Sequence, residues 1–119
     1  MSPTARSLLY LRKRGCLAAT VERWNAYAKV RQDLFGFADI IAVEPLFRGA
    51  SAIQACVTGD QSKRLAKIHA NAKARIWLRA SNRIYIMAWS KRGQREKRKL
   101  WSLSLTTVTL TGHVTEVVG

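Results

Sequence analysis

The chain has 119 residues, 48% of them hydrophobic, and carries 21 Lys and Arg against 7 Asp and Glu, a formal net charge of +14. That length and apolar content support one domain with a real core and exclude a disordered chain, and no apolar run approaches the roughly 20 residues of a membrane helix. The charge excess repels itself unless a polyanion relieves it; because it is spread over several segments rather than one amphipathic helix, it points to a phosphate backbone more than to an anionic membrane.

At the N-terminus, SPTARSLLYLRKRG places its basic residues after the apolar stretch, the reverse of a secretory signal. The expected compartment is the cytoplasm of a bacterium or of a cell infected by its phage. Ser2 can cap a helix with Pro3 in its first position and Leu8, Leu9 and Leu11 on its apolar side, and Gly15 stops it. Residues 16–24 are rich in β-branched and aromatic types and read as a strand, and residues 25–32 as a polar, basic loop. The nearly continuous apolar run GFADIIAV, residues 36–43, suggests a strand covered on both faces. Pro45 and Gly49 bracket a turn, and SAIQACVT, residues 51–58, is the return strand.

Residues 62–80 predict one long helix, with Leu65, Ile68, Ala72 and Ile76 on one stripe. Thr58 or Asp60 is its expected cap. RIYIMAW, residues 83–89, reads as a strand, and SKRGQREKRK, residues 90–99, as a basic hairpin loop. WSLSL, residues 101–105, alternates, and the phase flips near Thr107, so Val108 and Leu110 are expected past a bulge or on a further strand. The order is thus α-β-β-β-α-β-β, in one domain spanning residues 1–119.

Cys16 and Cys56 form no CxxC pair and have only His69 and His113 in support, so no structural zinc site is expected and both thiols are read as reduced. Asp39 draws attention for a physical reason. A carboxylate inside an apolar strand costs several kcal/mol unless a cation or hydrogen-bond donors compensate. Gln54 is a second polar residue inside an apolar strand, and a hairpin about residues 45–50 would bring the two together. The Asp39 carboxylate, the Gln54 carbonyl oxygen and the Ala55 backbone carbonyl are hard oxygen donors suited to Mg²⁺ or Mn²⁺.

GFADI, a turn and AIQAC, set in this order of elements, resemble the PD-(D/E)XK nuclease superfamily, nearest its small archaeal-type Holliday junction resolvase and VRR-NUC branch. The likeness covers about residues 5–105. It implies a restriction-endonuclease-like α/β fold with a central mixed β-sheet flanked by helices, and a metal-dependent DNA endonuclease acting on branched DNA, with a homodimer as partner state. In such a site Asp39 is the first metal ligand, Gln54 stands where a second acid is expected, and Cys56 where a Lys is expected. Lys67 or Lys29 would then supply the ammonium. Glu22 would substitute for the acid that some members carry on the first helix, with an ion pair to Arg23 or Arg31 as its plainer role. Asp33 is a weaker candidate, and Glu44 is read as structural.

Lys29, Arg31, Lys63, Arg64, Lys67, Lys91, Arg92, Arg95, Lys97 and Arg98 are the expected backbone contacts to nucleic acid, which position a strand without reading its sequence. Trp24, Trp77, Trp89 and Trp101 can stack on unpaired bases, although tryptophans at such positions more often build core. The rival reading is a catalytically inactive nuclease fold that only binds DNA or RNA.

Overall fold

The computed structural model describes residues 1–92 and 100–118, with Arg92 described by its backbone alone. Helix α1 (Pro3–Lys13) begins as its sequence dictates: the Ser2 hydroxyl accepts a hydrogen bond from the Ala5 amide at 3.1 Å, and Gly15 leaves the helix at φ +85°. Strands β1 (Leu17–Thr20), β2 (Arg23–Asn25), β3 (Val30–Gln32), β4 (Ile40–Val43) and β5 (Ser51–Val57) follow. Then come helices α2 (Gln61–His69) and α3 (Ala72–Arg79) and strands β6 (Arg83–Arg92), β7 (Leu100–Val108) and β8 (His113–Val118).

The architecture is α/β. A six-stranded mixed sheet runs β1-β4-β5-β6-β7-β8; only β5 and β6 lie parallel, joined by the α2–α3 crossover, while β2 and β3 form a separate two-stranded hairpin. Helix α1 packs on one face over Ala18, Ile40, Ile53, Met87 and Leu103. On the opposite face Ile68 and Ala74, from α2 and α3, pack with Phe37, Ala52, Cys56, Ile84, Ile86 and Val108. Covered on both sides, β5 buries every residue but its last, which is what a continuous apolar run requires.

Several expectations are corrected. The strand expected over residues 16–24 breaks at Val21 and Glu22, and the polar segment 25–32 is the tip and return strand of the β2–β3 hairpin. The strand expected over residues 36–43 starts only at Ile40, because Phe35 and Gly36 adopt positive φ and pair Leu34 with Ala38 in a tight turn. The long helix is two helices. Asn71 breaks it, its side chain accepting from the Lys73 amide at 2.9 Å as the cap of α3, and the new phase leaves Ile76 exposed. Neither Thr58 nor Asp60 caps α2 through its side chain; they form a single 3₁₀ turn instead.

Ser90, Lys91 and Arg92 extend β6 instead of entering a loop, paired with Ser102, Trp101 and Leu100; the rest of the basic stretch, residues 93–99, lies outside the described residues. Strand β7 runs through Val108 without a bulge. Its Ser102, Ser104, Thr106 and Val108 share one buried face, and Gln61 donates to the Ser104 and Thr106 hydroxyls at 3.0 and 2.7 Å. Those small hydroxyls hid a core face behind polar letters. Trp89 is buried and Trp77 half-buried, with its indole N–H donating to the Arg83 carbonyl at 2.8 Å, but Trp24 stands in solvent.

Gly49 shows where the backbone tolerates no side chain. It lies at φ +75°, and a Cβ would run into the Ser81 carbonyl and the Asn82 side chain, whose Oδ1 accepts from the Ala50 amide at 2.9 Å. Gly49→Ala is expected to cost about 2 kcal/mol or more, measured by urea unfolding, whereas Gly59→Ala, which meets open space, is expected to cost less than about 1 kcal/mol.

Candidate metal centre

The site lies where the β2–β3 hairpin leaves the sheet, and pairing register builds it. Strands β4 and β5 pair Ile40 with Ile53, and just beyond that pair the Asp39 amide donates to the Ile53 carbonyl, which sets Asp39 beside Gln54. The Leu34–Ala38 bridge puts Asp33 opposite Asp39 in the same way. Strands β2 and β3 pair Arg23 with Gln32, which sets Glu22 opposite Asp33. Residues opposite one another on neighbouring strands project to the same side. The ends of two short ladders and one isolated bridge thus bring Glu22, Asp33, Asp39 and Gln54 together.

Ligand oxygens of Glu22, Asp33 and Asp39 lie within 4.8 Å of one another. Asp39 is only 5% exposed and Gln54 1%. The Asp39 Oδ2 accepts from the Gln54 amide nitrogen at 2.6 Å and from the Ala55 backbone N–H at 2.9 Å. Its backbone is fixed as well, donating to the Ile53 carbonyl at 2.9 Å and accepting from the Val21 amide at 2.8 Å. Convergence of Asp39 with Gln54 and Ala55 is therefore observed, although both neighbours meet the carboxylate as donors. The Gln54 Oε1 is buried and has no hydrogen-bond partner among the described residues.

Cations sit at the outer acids. Arg31 reaches Glu22 at 3.2 Å, and Lys67, projecting from α2, reaches Asp33 at 3.7 Å. Among the described residues no cation pairs with Asp39. Its carboxyl is pushed up to about 7 from an ordinary 3.8, first by burial, then by a hydrogen bond shared with the Asp33 carboxyl and by the charges of Asp33 and Glu22, against the opposing pull of the Ala55 N–H. A proton on Asp39 is thus the local answer to three crowded carboxylates.

The donor set fits a hard divalent cation: oxygens only, convergent, with a buried amide oxygen beside them. Two oxygens on one Mg²⁺ stand at most ~4.2 Å apart, so the widest pair here would close by roughly half an ångström, within the reach of side-chain adjustment. Beside the cluster opens a groove of about 600 Å³ lined by Arg31, Asp33, Lys67, Asn71 and Lys73. Its cations flank the acid that faces it, an arrangement suited to a phosphodiester.

The other residues named from sequence divide clearly. Lys67 comes to the cluster, but Lys29 stands at the exposed hairpin tip at φ +53° and forms no ion pair among the described residues. Lys63 and Lys91 are exposed, Arg64 is half-buried and lies near Cys56, and Arg95, Lys97 and Arg98 lie outside the described residues. Cys56 is buried, and burial pushes its thiol up to about 11. Asp33 proves as central as Glu22, although its only mark in the sequence is its place just before the FGF turn. No protein-family model, curated protein or solved structure matches the chain.

Proposed function

We propose that the protein is a metal-dependent DNA endonuclease of a resolvase-like, PD-(D/E)XK type, using Mg²⁺ or Mn²⁺ held by Asp39, Asp33 and Glu22 with Gln54 beside them. The observation that carries this reading is the convergence of the Glu22 and Asp33 carboxylates on the buried Asp39. A bound divalent cation supplies a water of lowered pKa and takes up negative charge developing on the phosphate. The chain's own residues do the rest. Asp39, with Asp33 and Glu22, would hold the cation, Lys67 keeps an ammonium next to Asp33 where the family pattern would use residue 56, and Arg31 and Lys73 line the groove where a phosphate backbone would lie.

A second reading has a specific observation behind it. The Asp39 carboxylate is already satisfied without any metal, accepting from the Gln54 amide and the Ala55 N–H, as a non-catalytic nucleic-acid-binding descendant would need. Incubating the protein with labelled single-stranded, duplex and branched DNA, with EDTA, Mg²⁺ or Mn²⁺, separates the two. Cleavage that requires metal supports the nuclease; binding without cleavage of any substrate transfers the protein to the second class.

Both readings require electrostatic binding. With Z phosphates neutralised, log K is expected to fall against log salt with a slope of about −0.9Z on duplex DNA. A flat salt titration would contradict the nucleic-acid assignment itself.

A further inference from the structure

The β2–β3 hairpin does no packing work for the core, yet it displays aromatic surface. Trp24 is 63% exposed and Tyr27 fully exposed; Arg31 lies opposite Trp24 on the same side of the hairpin, and Lys29 stands at its tip. Large aromatics left in water forgo their burial energy, so a hairpin that holds them there is built to meet something. It is also held in shape. The Asn25 Oδ1 accepts from the amides of Tyr27 and Ala28 at 3.0 and 3.1 Å, and Lys29 closes the turn in the left-handed region. A preorganised tip loses little freedom on binding.

Register ties this aromatic surface to the acidic cluster. Trp24 lies opposite Arg31, and Arg31 pairs with Glu22 at 3.2 Å. Glu22 precedes Trp24 by two residues, which keeps the same side of an extended chain and spans roughly 7 Å, about two base-stacking steps of rise. We infer that the β2–β3 hairpin is a stacking platform for unpaired bases, with Trp24 and Tyr27 taking base faces and Lys29 and Arg31 the phosphates, so that the substrate is single-stranded DNA or a single-stranded segment. The inference deepens the nuclease reading and rests on it for the link to cleavage. An anionic membrane, which Trp, Tyr and basic residues can also meet, fits less well, because the basic residues are spread over several elements of the chain instead of gathering with the aromatics on one amphipathic face.

Fluorescence anisotropy in EDTA, with a labelled oligonucleotide single-stranded and as a duplex of equal length, tests the platform apart from the metal centre. Trp24→Ala is expected to weaken single-strand binding roughly 5- to 150-fold, the range for losing one base stack, and to change duplex binding less than about twofold. Trp24→Phe should keep most of the affinity, and Tyr27→Ala should show a smaller loss than Trp24→Ala. Thermal melts of these exposed-site variants should match the parent. Equal loss on both DNA forms, no loss on the single strand, tighter binding of the corresponding RNA, or Trp24-dependent binding to phosphatidylserine vesicles in place of DNA would each overturn the inference. Because metal is absent, that failure would leave the nuclease reading standing. Conversely, Trp24-dependent single-strand selectivity without metal-dependent cleavage would keep the platform and sink the nuclease.

Discussion

Asp39→Asn is expected to reduce Mg²⁺- or Mn²⁺-dependent DNA cleavage by on the order of 10³-fold or more, while metal-free DNA binding changes less than about threefold. Asn is the informative replacement because it isolates charge. Its carbonyl oxygen can still accept from the Gln54 amide nitrogen and the Ala55 N–H, which now meet the carboxylate at 2.6 and 2.9 Å. Asp39→Ala should be equally inactive but would also leave both buried donors unpaired, costing about 1–3 kcal/mol for each. Single-turnover cleavage with melting of the same samples distinguishes lost chemistry from lost fold. If Asp39→Asn cuts at the parental rate, the reacting centre is elsewhere.

The second large effect is on stability against pH. In the folded protein the Asp39 carboxyl is pushed up to about 7, by burial first and by Asp33 and Glu22 next, while the unfolded chain returns it to about 3.8. Between those values the folded state binds more protons than the unfolded state, so unfolding free energy falls as pH rises. The stabilising contribution is complete below about pH 4, is lost as pH climbs through 7, and amounts to on the order of 2–4 kcal/mol. Urea unfolding in EDTA should therefore show the parent weakening from pH 5 to pH 8 relative to Asp39→Asn. Parallel curves would contradict the crowded-carboxylate account. Mn²⁺, competing with the same proton, should raise the parent's Tm at pH 8 far more than at pH 5.

Asp39 and Gln54 were legible because one turn between two apolar strands suffices to bring them together: the β4–β5 ladder ends at Ile40 and Ile53, and the two polar residues meet just past it. Glu22 and Asp33 were harder to see. Their positions depend on the β2–β3 pairing, whose return strand lies in a segment that reads as polar loop, and on the Leu34–Ala38 bridge, which needs a positive φ at Phe35 that its residue type does not announce. The sheet's α/β class followed from apolar runs, but the helix break did not, because the apolar stripe ran on past Asn71 while its side chain capped a new helix. Position 56 was read by family pattern as a missing Lys; the structure makes Cys56 part of the core beneath α2, so Cys56→Lys would bury an ammonium and is expected to destabilise the fold. Gln54→Glu is the more workable restoration. It adds a carboxylate beside Asp39 and should tighten Mn²⁺ binding while lowering metal-free stability at pH 8.

Isothermal titration of Mn²⁺ into the protein at pH 8, repeated with Glu22→Gln, Asp33→Asn and Asp39→Asn, tests the central claim most directly. One site per chain is expected, accompanied by proton release from Asp39, weakened by each substitution and abolished by Asp39→Asn. Heats that are absent in the parent, or that persist unchanged in Asp39→Asn, would contradict a metal centre at the junction of the hairpin and the sheet.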